Sequence, residues 1–301
     1  MLDVLTRAGC FIAIIIAGYL LRKINFFKEG DFTVLSKITL KITLPAAFVS
    51  NFSGKQLDPS MLSFALVGLG AGILYMILGY AVNGRKGRED KAFGVLNLSG
   101  YNIGNFTLPF LQSFLGPMGV ITASLFDAGN AFVCLGGAFG VASSIRGTGK
   151  FSVKRVLKAL SRSVAFLTCI TMMILGFLGI TLPRPVIELA DIIGGANAFI
   201  AMLMLGVGFK FSGEKSQVGM IIRLLAARYG VALVLATIFF HLPLEHEVRT
   251  ALMVLAFCPI SSSVPAFTEE MGGDSGLSAA VNSMSIICSM VFMVSILMVM
   301  L

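Results

Sequence analysis

Tyr101-Asn102-Ile103-Gly104-Asn105-Phe106-Thr107-Leu108-Pro109 interrupts one hydrophobic stretch, Asn97 to Leu115, and Pro259-Ile260-Ser261-Ser262-Ser263-Val264-Pro265 interrupts a second, Leu252 to Met271. Lipid offers no hydrogen bonds, so a backbone N–H or C=O cannot be left unpaired at membrane depth. An interrupted span survives only where it is packed in protein or lines a wet cavity. Two interruptions at matching places in the two halves of a hydrophobic chain point to a binding site where the broken segments meet.

The rest of the chain supplies the membrane. Of its 301 residues 56% are hydrophobic and only 13% are charged, too few polar groups to coat a soluble protein of this length. About 20 apolar residues cross a bilayer core, and ten such segments are present: 4–21, 32–52, 60–82, 91–115, 118–144, 162–181, 185–210, 218–240, 248–271 and 276–300. The fold class is therefore an all-α integral membrane protein, with short loops that leave no room for a separate soluble domain. The first segment is followed by Arg22, Lys23 and Lys28, not by a small-residue cleavage site, and reads as a span, not a signal peptide. There is no Trp, so Phe and Tyr supply the interfacial anchors. Cys10, Cys134, Cys169, Cys258 and Cys288 are scattered through the spans with neither metal nor disulfide spacing.

The net charge of +8 is a topology signal, with no nucleic-acid partner implied. Connections after spans 1, 3, 5 and 7 carry Arg22, Lys23, Lys28, then Arg85, Lys86, Arg88, Lys91, then Arg146, Lys150, Lys154, Arg155, Lys158, Arg162, then Lys210, Lys215, Arg223. The opposite connections hold only Lys55, Arg184 and Arg249. This asymmetry places the odd connections in the cytoplasm and both termini outside. Five spans precede the basic linker and five follow it. An odd number per half inverts the second copy, giving a 5+5 inverted repeat of residues 1–145 and 159–301 joined by the linker 146–158. The offset that carries Pro109 onto Pro265 also carries span 1 onto span 6 and brings Pro45 close to Phe199.

The first break brings Asn97, Asn102, Asn105 and Thr107 into an apolar helix, with Gly100 and Gly104 allowing close approach. Pro109 lacks an N–H and frees a carbonyl near Asn105. The second break sets Ser261, Ser262 and Ser263 between Pro259 and Pro265. If the broken segments cross, their half-helix N-termini point inward and favour an anion; a pair of proline kinks without a ligand is the alternative. Neither break contains an acidic residue, which favours an anionic or neutral polar ligand over a cation.

Asp127 and Asn130 lie one helical turn apart in span 5. A carboxylate at mid-membrane depth is a functional hypothesis by default, here the titrating group of proton coupling, or else a structural group that pairs with a lysine or caps a broken helix. Lys37 and Lys41 share one face of span 2. Lys37 is close enough to the end to snorkel, whereas Lys41 is deeper and is either a counter-ion for Asp127 or an attractor of anions. Arg228 in span 8 has the same ambiguity. Asp191 reads as interfacial. Glu269 sits at the end of span 9, as a gate or a solvated group. His241 and His246, beside Glu245 and Glu247, lack a convincing third ligand and read as a solvated loop, so no metal is expected. No P-loop, Gly-x-Ser-x-Gly or His-Glu-x-x-His is present, and no enzyme activity is expected.

Asn102-x-Gly104-x-x-x-x-Pro109 resembles the crossover segment of the auxin efflux carrier family, which includes plant PIN proteins and bacterial malate or malonate permeases. Phe126-Asp127-x-x-Asn130 is similar to that family's next helix, Pro259 through Glu269 with Gly272-Gly273-Asp274 to its ninth span and following turn, and Lys37 with Pro45 to its second span. The resemblance implies a fold shared with bile acid sodium symporters, elevator-like alternating access and carboxylate substrates. It carries over crossover roles to Asn102, Gly104, Pro109, Pro259 and the serine run. Thr107 stands where the family usually has Gly, Ser263 where it often has Asn and Phe199 where it usually has Pro, while Lys41 and Arg228 are outside its pattern.

These readings converge on a secondary carrier of small organic anions, such as malate, malonate or auxin-like acids, in the cytoplasmic membrane. Its expected substrate site comprises Asn102, Gly104, Asn105, Thr107, Pro109, Pro259, Ser261, Ser262, Ser263 and Pro265. Asp127, Asn130, Lys41 and Glu269 are expected to serve coupling to H+ or Na+, and no other cofactor is expected. The lipid bilayer is the expected environment, and a homodimer is left open. The rival readings are a Na+/H+ antiporter on the same fold and a membrane receptor without turnover.

Overall fold

The computed structural model describes residues 2–28, 30–209 and 217–301; Lys210 and Lys215 of the basic connections lie outside the described residues. The described chain is helical, with no strand among them. Seven helices are long and apolar enough to cross a membrane: Leu2–Lys23, Asp31–Phe52, Pro59–Val82, Pro117–Arg146, Arg184–Gly208, Val218–His241 and Ser275–Met300. Val153–Leu160 and Val164–Phe177, bent by 76°, make an eighth if taken as one span. The two segments that carry the breaks each consist of shorter helices and fall outside that set.

The helices are α1 (Leu2–Lys23), α2 (Asp31–Ile38), α3 (Leu44–Phe52), α4 (Ser63–Val82), α5 (Arg88–Leu98), α6 (Leu108–Leu111), α7 (Pro117–Phe132), α8 (Ala138–Arg146), α9 (Val153–Leu160), α10 (Val164–Phe177), α11 (Arg184–Gly195), α12 (Asn197–Gly208), α13 (Val218–His241), α14 (His246–Ala256), α15 (Val264–Glu270) and α16 (Ser275–Met300). Helix α9 fills much of the basic linker. Its N-cap Ser152 accepts from the Arg155 N–H, and its basic residues alternate with Val156 and Leu160, which are buried.

Proline shapes two spans in the same way. A proline in a helix removes one bond and crowds the carbonyl four residues earlier. Pro45 is preceded by a widened π-helical turn, Thr39–Thr43, and Pro109 by another, Ile103–Thr107. In each the wider turn accommodates the ring, so the chain bends without ending.

Small residues set which helices touch. A side chain at Gly206 of α12 would start 2.0 Å from Ile15 O of α1, and one at Gly18 would start 2.5 Å from Leu203 O. On the other side of the molecule, a Cβ at Gly129 of α7 would lie 1.8 Å from Ala65 O of α4, and one at Gly79 of α4 would lie 2.2 Å from Gly94 O of α5. Backbones that approach this closely supply the packing that lipid cannot drive hydrophobically. Two groups result. Helix α1 packs on α12, and α3 on α10 and α11; α4, α5, α7 and α8 pack together, as do α13, α14, α15 and α16.

The connections sort to two ends. At one end Arg146 pairs with Glu89 at 3.0 Å, Arg155 with Glu270 at 2.5 Å, Gln217 donates to Asp274 at 2.8 Å, and Arg22 donates to Val207 O at 2.8 Å. At the other end Arg7 donates to Ser113 O, Gly119 N to Glu247 at 2.9 Å, Leu57 N to Gly176 O at 3.3 Å, and His246 Nε2 meets Met300 O at 2.8 Å. The first end is the one that carries the basic excess.

Candidate functional site

The two breaks touch. Helix α5 stops at Leu98 because Ser99 is extended and Gly100 is left-handed at φ 79°. A side chain there would also begin 2.7 Å from Cys134 Sγ, so both conformation and space call for glycine. Beyond it, Asn102 N–H donates to Pro259 O at 2.9 Å, joining the breaks backbone to backbone. Asn105 Nδ2 donates to Ser262 Oγ at 3.0 Å, and Thr107 Oγ1 lies 2.8 Å from Cys258 Sγ.

A third helix braces each break. Asn130 of α7 accepts from Tyr101 N–H through Oδ1 and donates to Tyr101 O through Nδ2, both at 3.0 Å. Its Nδ2 also donates to Asp127 Oδ1 at 2.9 Å. Asn282 of α16 donates to Ile260 O at 2.9 Å and Ser261 O at 3.0 Å, and Ser285 Oγ accepts from Ile260 N–H at 3.1 Å. These bonds answer the accounting that broken backbone imposes in lipid. Asn282 was not singled out in the sequence, although a polar Asn282-Ser283 pair inside an apolar helix is the same signal that drew attention to Asp127.

A cavity of about 570 Å³ lies against the crossing. Of the expected substrate residues, Asn102, Gly104, Asn105, Ser261, Ser262 and Ser263 line it. Ser261 and Ser263 hydroxyls face each other at 3.0 Å. Asn102 is 3% exposed, and its Nδ2 is a donor with no partner; Asn105 Oδ1 also lacks one. An unpaired buried amide is costly and invites a ligand group or water. Asp127, Asn130, Lys37 and Lys41 complete the polar wall. Among the described residues no ion pair joins Lys41 to Asp127, whose oxygen takes the Asn130 amide instead.

Thr107, Pro109 and Pro259 are buried behind the cavity and shape the breaks without bordering it. Pro265 and Glu269 border a second cavity of about 520 Å³, together with Arg22, Ser262, Asn282 and Ser283. Phe32 and Ser262 face both cavities, so the serine run stands between them. Asp191 meets Ser50 by a hydrogen bond away from the crossing. Arg228, read as ambiguous in the sequence, contacts the breaks through backbone carbonyls and not through an acid.

Residues 8–147 match the family described as membrane transport protein, and residues 199–301 match the sodium bile acid symporter family. The first match contains the Asn102 break with the Asp127 helix, and the second contains the serine break with Asn282. No curated protein matches the chain. The two matches agree with the resemblance of the crossover residues to the auxin efflux carrier family and with the fold relation to bile acid sodium symporters that this resemblance implies. With its apolar helices and two crossed breaks, the chain is a multi-pass membrane transporter, similar to the membrane transport protein family in its first half and to sodium bile acid symporters in its second.

Proposed function

We propose that this protein is a secondary carrier of small organic anions, mono- or dicarboxylates of the malate, malonate or auxin-like kind. The observation that carries the reading is the convergence of Asn102, Asn105 and the serine run from two broken segments on one cavity, with Lys37 and Lys41 on its wall. A cavity of about 570 Å³ has the size of a small-ligand site. Neutral amides and hydroxyls bind a carboxylate by donation, and the two lysines, which form no ion pair among the described residues, supply attraction.

Counting the two broken segments with the eight candidate spans gives ten crossings in two inverted halves, both termini outside. The sorting of connections to two ends supports that count. The positive-inside bias makes the basic end cytoplasmic. Lys37, Arg162 and Ser163 border the first cavity near that end, so this is the inward-facing state. The group of α1, α3 and α10–α12 is the stationary wall. The crossing, with α4, α5, α7, α8 and α13–α16, is the body that moves past it in an elevator cycle. Asp127, partly buried with Asn130 as its partner, is the coupling carboxylate.

The test is uptake into proteoliposomes of labelled malate, malonate, pyruvate, lactate and indole-3-acetate under an imposed pH or Na+ gradient, beside Asn102→Ala. Accumulation of one carboxylate that is lost in the variant is the expected result. Na+-dependent alkalinisation without organic uptake, abolished in Asp127→Asn, would replace this reading with a cation/proton antiporter. Saturable binding without accumulation would replace it with a receptor.

A further inference from the structure

Arg228 is 1% exposed; it lies against the ring of Tyr101, which lines the cavity, and is not itself a lining residue. Its Nη1 donates to Leu98 O, and its Nη2 to Gly100 O at 3.2 Å, Cys258 O at 2.9 Å and Pro259 O at 3.4 Å. Leu98 is the last residue of α5 and Gly100 lies just beyond it, and Cys258 and Pro259 follow the end of α14. One guanidinium therefore spans the carbonyl ends of both broken segments. It lies 4.6 Å from the Tyr75 ring centroid and 5.0 Å from that of Tyr101, and Tyr75 OH donates back to Arg228 O at 3.1 Å. Among the described residues no carboxylate pairs with it.

The physical consequence is one of charge. The last carbonyls of a helix have no partner within it, and the helix end carries roughly half a negative charge. Two such ends meeting in a membrane would form an acceptor cluster suited to a cation. The planar fork of arginine holds several carbonyls at once, and a buried cation stacked on two tyrosines keeps its charge where lysine would hold fewer bonds. With those backbone carbonyls occupied, the groups that the crossing leaves unpartnered on the residues lining the cavity are side-chain ones, the Asn102 Nδ2 donor and the Asn105 Oδ1 acceptor.

We propose that Arg228 is a positioning residue that ties the carbonyl ends of the two broken spans together and withdraws those acceptors from the cavity, so that the crossing is set to receive an anion and to reject a cation. The tie is a structural claim; the selectivity rests on the reading that the cavity holds a small organic anion.

Two measurements separate these. Hydrogen exchange is followed by mass spectrometry on the purified full chain, wild type and Arg228→Lys, without ligand. Losing charge-assisted bonds from a buried fork should speed exchange at least about tenfold in peptides covering 99–105 and 257–263, with α1 and α12 unchanged. Calorimetric titration with malonate and with its neutral diamide then compares wild type, Arg228→Gln and Arg228→Lys. The preference for malonate should fall at least about tenfold in Arg228→Gln and persist in Arg228→Lys, which keeps the charge. A lysine variant that exchanges like wild type overturns the tie, and it decides that point even if the glutamine variant does not fold. A glutamine variant with the wild-type preference overturns the selectivity claim. Wild-type protein that binds neither compound counts against the organic-anion reading and its selectivity corollary, while the exchange result still decides the tie.

Discussion

Replacing Asn130 with alanine removes the clasp on Tyr101, and the cost follows from its bonds. Asn130 is 1% exposed and Tyr101 is 2% exposed, so the two bonds between them are shielded from water. Tyr101 N–H loses its acceptor and Tyr101 O loses its donor. A buried group left unpaired costs about 1–3 kcal/mol, a carbonyl less than an N–H. The pair therefore sums to about 2–6 kcal/mol, and we expect a value near 3 kcal/mol. Asp127 also loses its amide partner, but its carboxylate borders the cavity and rehydrates. The companion variant Asn282→Ala strips donors from two carbonyls only, Ile260 O and Ser261 O, and should cost less, about 1–2 kcal/mol. The assay is denaturant unfolding of purified protein in mixed micelles, followed by circular dichroism, with both variants side by side. If Asn130→Ala unfolds within about 0.5 kcal/mol of wild type, or Asn282→Ala is the costlier change, the account of how the breaks are held is wrong.

The α4–α7 contact gives a second prediction. Gly129→Leu places a side chain where a Cβ would already lie 1.8 Å from Ala65 O, so it should destabilise by at least ~3 kcal/mol; Gly70→Leu, with open space around it, should leave the thermal midpoint unchanged. A double-mutant cycle on Asn105→Ala and Ser262→Ala should return a coupling of about 0.5–1.5 kcal/mol in unfolding free energy, and additivity of the two would mean that their bond across the breaks is not made.

Much of the site was legible in the chain because its signals are local. Pro45 and Pro109 bend their helices whatever surrounds them, and a serine run between two prolines cannot continue a helix bond by bond. Asn102, Asn105 and Asp127 stood out because polar groups are rare at membrane depth. Charge alone offers Lys41 as a counter-ion for Asp127 or an attractor of anions, and the structure gives Asp127 an amide from its own helix, one turn away, and leaves the lysine on the cavity wall. Thr107, Pro109 and Pro259 belong to the same breaks in the sequence, yet they are buried and do not line the cavity, a distinction that position in the chain does not carry.

Composition and hydropathy alone determined that this is a helical membrane protein, because lipid leaves a chain no other way to pair its backbone except a closed barrel. The same constraint located the two segments that need outside partners. Which partners they find was decided only in three dimensions. Asn102 meets Pro259, Asn282 meets Ile260, and Arg228 meets both α5 and α14. Asn102 and Pro259 lie over a hundred residues apart, and neither periodicity nor propensity carries information across that distance. An arginine inside an apolar span reads from sequence as a charge in search of a counter-ion. Only the packed structure shows that its counter-charge is the carbonyl ends of two interrupted helices.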